Sequence, residues 1–124
     1  MRNRILFITA NTHKTHTIQA ELQCYGLTVE TLNIKRAIEA IPVYAPAAIV
    51  LDIDHQHANI DRYQVCQQIA SNPMTDHIPV ILLIPSHERN MLIEPVQTGV
   101  YDSVTSDSFA IRNLIEVMRT LKLL

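Results

Sequence analysis

Two acids close an apolar run in "IVLDIDHQ", residues 49–56. Asp52 follows Ile49, Val50 and Leu51 directly, and Asp54 comes after a single isoleucine. A carboxylate at the mouth of a buried strand can act as a nucleophile, hold a cation, or simply mark the exit into water. His55 and His57 follow in the same stretch, and His13 and His16 stand in an earlier one. Imidazole beside carboxylate suits zinc and other transition metals, yet HxH and HxxH are weak signals, and these read as solvated loop histidines. Ser86, His87 and Glu88 supply the residue types of a nucleophilic triad, but nothing around them has the pattern of a nucleophile elbow. Lys14 brings a positive charge close to the end of the first apolar run, where it reads as a solvated helix-start lysine. Neither GxGxxG nor GxxxxGK[ST] occurs, so no glycine-rich phosphate loop is expected.

The segments around these residues alternate between two patterns. "RILFITA" (4–10) is a short apolar, β-branched run, whereas residues 13–26 carry Ile18, Leu22 and Tyr25 at helical spacing and stop at Gly26. "LTVETLN" (27–33) alternates apolar and polar, as a half-buried edge strand does. Residues 34–45 put Ile34, Ala37, Ile38 and Ile41 on one helical face, with Pro42 near the end. "AAIVLDI" (47–53) and "IPVILLI" (78–84) are continuously apolar and belong in the middle of a sheet. Between them, residues 61–73 read as a helix stopping at Asn72-Pro73. Residues 88–99 read as a short helix broken by Pro95, 100–105 as a weak strand, and 108–121 as a helix capped by Ser106 or Asp107.

Five β-α units with short connections predict a parallel sheet with helices on both faces. With the alternating strand at an edge and the two apolar strands inside, the order 2-1-3-4-5 of a flavodoxin-like, doubly wound (βα)5 fold satisfies the pattern. Sites in such sheets form at the carboxyl ends of the strands, near the switch between strands 1 and 3. Asp52 then stands at the mouth of a central strand beside that switch.

Composition narrows the function classes. The chain has 124 residues, 48% of them hydrophobic and 18% charged, which suits one globular domain over 1–124. A net charge of −2 and no basic stripe give nucleic-acid binding no electrostatic support. The apolar runs are too short to span a membrane, and the first lacks the length and cleavage site of a secretory signal. Cys24 and Cys66 have no CxxC spacing and read as reduced thiols of a cytoplasmic protein.

At this point a family resemblance emerges. Over essentially its whole length the chain resembles the receiver domain of two-component response regulators. "PAAIVLDID" is similar to the segment that carries the phospho-accepting aspartate, and Asp52 falls on that residue. "YQVCQQIASNPMTDHIPVILLIPS" resembles the third helix and fourth strand, with the "IPVI" entry as the most specific match, and "TGVYDSV" is similar to "AGADDYL". The departures are as informative. Thr9 and Ala10 occupy the positions of the acidic pair that binds Mg²⁺. Ile84 stands for the Ser/Thr that bonds the phosphoryl group, Ser106 for the lysine ending strand 5, Asp107 for the proline after it, and Ser103 for the aromatic switch residue. The loop after Asp52 reads "DHQHANID" in place of Met-Pro-Gly. Asp54 is the nearby acid left to assist Asp52.

Acyl-phosphate formation joins two anions, so its catalysis is positioning plus charge neutralisation. One charge pair at about 4 Å is worth roughly 1 kcal/mol in water and about 4 kcal/mol at an effective dielectric near 20. Two missing acids and a missing lysine therefore remove several kcal/mol, and each 1.4 kcal/mol is about tenfold in rate. The resemblance thus implies an atypical receiver of the pseudo-receiver type, not an enzyme, with Mg²⁺ binding weak or absent and no other cofactor. Expected partners are a sensor histidine kinase or an effector domain, or a second copy meeting the last helix-strand-helix face, where Met118, Leu121, Leu123 and Leu124 exceed one core-facing stripe. The alternatives are a working phosphoacceptor on Asp52 and, from another class, a small flavodoxin-like ligand binder or enzyme.

Overall fold

Isoleucine, leucine and phenylalanine dominate β1 (Arg4–Thr9), and every residue from Ile5 to Thr9 is buried. β3 (Ala48–Asp52) is buried throughout, and Val80 to Ile84 of β4 (Val80–Pro85) are buried as well. β2 (Thr28–Asn33) buries Val29 while exposing Thr28 and Glu30, and β5 (Val100–Ser106) buries Val104. These habits predict inner and outer strands, and the computed structural model places them so. It describes residues 4–9, 16–52, 62–85, 100–106 and 109–124. The five strands form one parallel sheet in the order β2-β1-β3-β4-β5. The expected helix over 88–99 lies outside the described residues.

Alternation along the strands sorts the core into two layers. Ile5, Phe7, Val50, Ile81 and Leu83 meet Leu22 of α1 (His16–Cys24) and Leu114, Ile115 and Met118 of α4 (Ala110–Thr120). Leu6, Ile8, Ile49, Leu51 and Leu82 meet Ala37 and Ile41 of α2 (Ile34–Tyr44) and Val65, Cys66 and Ile69 of α3 (Arg62–Ser71). A fully buried Leu, Ile or Phe stabilises by about 1.5–3 kcal/mol, so the inner strands supply most of the driving force from both faces. No helix among the described residues is long and apolar enough to cross a membrane.

Helix ends follow local chemistry. α1 stops at Gly26, whose φ of +88° suits glycine and whose N–H bonds the Gln23 carbonyl at 3.0 Å. After α3, Asn72 Oδ1 accepts from the Met74 N–H at 2.9 Å, and the buried Thr75 hydroxyl donates to the Ile69 carbonyl at 2.7 Å. α4 closes in a Schellman motif: Lys122 has φ +61°, its N–H bonds Arg119, and the Leu123 N–H reaches back to Met118 at 2.9 Å. This turn folds Leu121 and Leu123 against the first core layer. The surplus leucines are therefore mostly core, and Leu124 remains 43% exposed. The cap expected at Ser106 or Asp107 is corrected. β5 runs on through Ser106, and the N-cap position falls on Phe109, which has no side-chain acceptor and makes no side-chain cap bond.

Candidate functional site

The carboxyl ends of three neighbouring strands meet in a polar row. Thr9 is the register partner of Asn33 on one side and of Asp52 on the other. Parallel in-register partners present their side chains to the same face, about 4.8 Å apart. By alternation with Phe7 and Val50, Thr9 and Asp52 lie on the α1/α4 face of the sheet. Thr9 is 1% exposed and Asp52 7%, so the pair is almost out of water. Both are engaged by a polar or electrostatic partner, as is Asn33. Asp52 thus occupies the mouth of a central strand at the switch between β1 and β3, as its place in the chain suggests.

The row ends toward β4. The pairing Leu51↔Leu82 brings Asp52 to the level of Leu83, which belongs to the first core layer, and Ile84 is buried in the second. Ile84, 1% exposed, has no hydroxyl to offer an anion. Ser106 closes β5 opposite Pro85, two strands away from Asp52. Among the described residues that end the five strands, Asp52 is the only acid: the others are Thr9, Asn33, Pro85 and Ser106. Among the described residues, no group of three His, Cys, Asp or Glu is placed to hold a metal ion. Ala10, Lys14, Asp54, His13, His55, His57 and the Ser86-His87-Glu88 stretch lie outside the described residues; His16 opens α1 and is exposed. Cys24 is an exposed free thiol and Cys66 a buried one.

Asn33 is the member of this row that sequence reading passed over. Its signal was available: it closes an alternating edge strand just before a helix. Only the β1–β2 register, however, puts it level with Thr9.

A second polar group ties the opposite end of the sheet. Arg4 Nη1 donates to the Tyr44 carbonyl at 2.9 Å, and its guanidinium carbon lies 4.8 Å from the Tyr44 ring centroid. The Tyr44 hydroxyl donates to Glu30 Oε2 at 3.2 Å. Loss of hydration, then the Glu30 charge and that hydrogen bond, raise the Tyr44 phenol above its ordinary value, while Arg4 pulls it back. The cluster fastens the end of α2 to β1 and β2 and takes no part at the Asp52 edge.

No family model and no curated protein matches the chain. Solved structures do. A protein described as a response regulator from Chloroflexus aurantiacus superposes with a TM-score of 0.82 at 19% identity, covering 98% of this chain and 99% of that one. The signal receiver domain of a signal transduction histidine kinase from Syntrophus aciditrophicus gives 0.80 at 21% identity, covering 97% and 90%. The receiver domain of a sensor histidine kinase from Pseudomonas aeruginosa, with a magnesium ion coordinated in its active site cleft, gives 0.77 at 19%, covering 98% and 99%. The chain has the fold of these domains.

Proposed function

We propose that this chain is an atypical receiver domain in two-component signal transduction, acting in the cytoplasm as a protein-interaction module whose phosphorylation site is impaired. The observation that carries the reading is the setting of Asp52. An acid stands at the mouth of β3 in a receiver-type sheet, yet its register partner is threonine and the last buried residue of β4 is Ile84. Mg²⁺ is held through one or two carboxylates plus waters and phosphate oxygens, and among the described residues that end the strands Asp52 is the one acid available to hold it. The chain therefore binds Mg²⁺ weakly or not at all and catalyses no turnover of its own. Signals pass through contacts with a sensor histidine kinase, an effector domain or a second copy. The exposed Phe109 and Tyr101 mark the face of β5 and α4 as the contact surface.

The presence of Asp52 in the acceptor's place favours one rival, a working phosphoacceptor. Incubation with a small phosphodonor and Mg²⁺, followed by intact-mass measurement, separates the two. The expected result is no phosphate adduct; an adduct that disappears in Asp52→Asn overturns the proposal.

A further inference from the structure

We infer that side chains close both open edges of the sheet, Gln19 on β2 and Asp102 on β5, and so keep a second copy of this chain from adding a strand there. The inference rests on the hydrogen bonds of the sheet and does not depend on the receiver reading.

β2 and β5 are the outer strands. An outer strand turns a row of N–H and C=O groups away from the sheet, a template for pairing with another chain. One bond fixes which residues these are, because successive residues of a strand direct their N–H and C=O to opposite sides. The Ile49 N–H donates to the Pro79 carbonyl, so Ile49 faces β4 and Val50 faces β1. In a parallel ladder, a residue facing the next strand bonds the two residues that flank its register partner. Val50 is thus matched to Leu6 and Ile8, in line with the Arg4 carbonyl on the same side accepting from the Ala47 N–H. Phe7 is left to face β2, where Glu30 and Leu32 flank its partner Thr31. Val29 and Thr31 therefore turn outward. On the other side Pro79 and Ile81 face β3, so Leu82 faces β5, where Asp102 and Val104 flank its partner Ser103. Ser103 therefore turns outward.

Side chains occupy these outward groups. Gln19 Nε2, from α1, donates to the Val29 carbonyl at 3.2 Å, and Gln19 Oε1 accepts from the Thr31 hydroxyl at 2.8 Å. Asp102 Oδ1 accepts from the Ser103 N–H at 2.7 Å. Asp102 also sets a charge at an exposed edge position, and Tyr101, the extra residue between Val80↔Val100 and Ile81↔Asp102, bulges the strand just before it. Bulges and edge charges both oppose strand addition. A second copy would have to displace the Gln19 amide or the Asp102 carboxylate before its own backbone could bond.

Sedimentation velocity over a concentration series tests this on the full chain, with Gln19→Ala, Asp102→Ala and the double variant. Each single variant is expected to self-associate about tenfold more tightly than wild type, the equivalent of about 1.4 kcal/mol for one competing hydrogen bond removed. Asp102→Asn keeps an acceptor oxygen and should stay close to wild type. Hydrogen exchange places the contact. The Ser103 amide in Asp102→Ala, and the Thr31 amide in Gln19→Ala, should gain protection as the protein is concentrated. Variants that associate no more than wild type overturn the inference, even if they are less stable, because the two side chains then only tie the strands locally. Wild type supplies a second readout if a variant fails to fold: protection of its Ser103 and Thr31 amides should be independent of concentration, and a gain on concentrating it overturns the inference equally.

Discussion

Replacing Thr9 by aspartate sets a second carboxylate beside Asp52, and the register fixes the cost. The two positions are Cα partners on neighbouring parallel strands, both nearly excluded from water. At about 4.8 Å and an effective dielectric of about 20, two like charges repel by about 3.5 kcal/mol. A domain of this length loses about 3–5 °C of Tm per kcal/mol, so Thr9→Asp in EDTA is expected to melt about 10–18 °C below wild type at neutral pH. A divalent cation between the acids removes the repulsion. Mg²⁺ at a hundredfold excess over its dissociation constant restores about 2.7 kcal/mol. Paired urea titrations in EDTA and in Mg²⁺, on wild type and variant, measure both quantities. Wild-type stability should be indifferent to Mg²⁺. A variant as stable as wild type in EDTA, or a wild type that gains as much from Mg²⁺ as the variant does, refutes the reasoning, because the first denies the proximity and the second denies the weak Mg²⁺ binding proposed for the native edge.

Three further outcomes are expected. Leu114 is fully buried in the first core layer, so Leu114→Ala should cost about 2–5 kcal/mol by urea denaturation, whereas Leu124→Ala, at a half-exposed position, should change stability by less than about 0.5 kcal/mol. Ala45 follows α2 with φ +51°, a conformation that costs an L-residue about 1–2 kcal/mol; Ala45→Gly should therefore stabilise by about 0.5 kcal/mol after the extra chain entropy of glycine, measured the same way. Because the Tyr44 phenol is raised, its contribution to stability is fully present below pH 10, the ordinary tyrosine value, and is lost as the pH rises through the folded-state value above that. Ultraviolet titration of wild type minus Tyr44→Phe should show that late ionisation, moved earlier in Glu30→Gln.

Much of the fold was legible because its determinants are local. Runs such as "AAIVLDI" and "IPVILLI" can be buried on both faces only inside a parallel sheet, and "LTVETLN" can be satisfied only at an edge; the observed order agrees. Gly26 and Asn72-Pro73 mark helix ends through backbone chemistry that needs no tertiary partner. The end of α4 was harder to read. "EVMRTLKLL" looks oversupplied with apolar residues until the Schellman turn at Lys122 carries Leu123 back over Met118. Its start was misread because the length of β5 depends on pairing with β4, where Tyr101 is slipped past between the partners Val80↔Val100 and Ile81↔Asp102. That slip is invisible in a list of residues.

The amino-acid order by itself determined the layered α/β architecture and the position of one acid at a strand mouth, since hydrophobic period and strand polarity follow from neighbouring residues. Only the tertiary structure decided what stands beside that acid. Thr9, Asn33 and Asp52 come from three separate strands, and their alignment is set by ladder register and by the packing of α1 and α4 beneath the sheet. Register is a non-local quantity: a one-residue slip would turn Thr9 to the opposite face and leave Asp52 without the hydroxyl at its side.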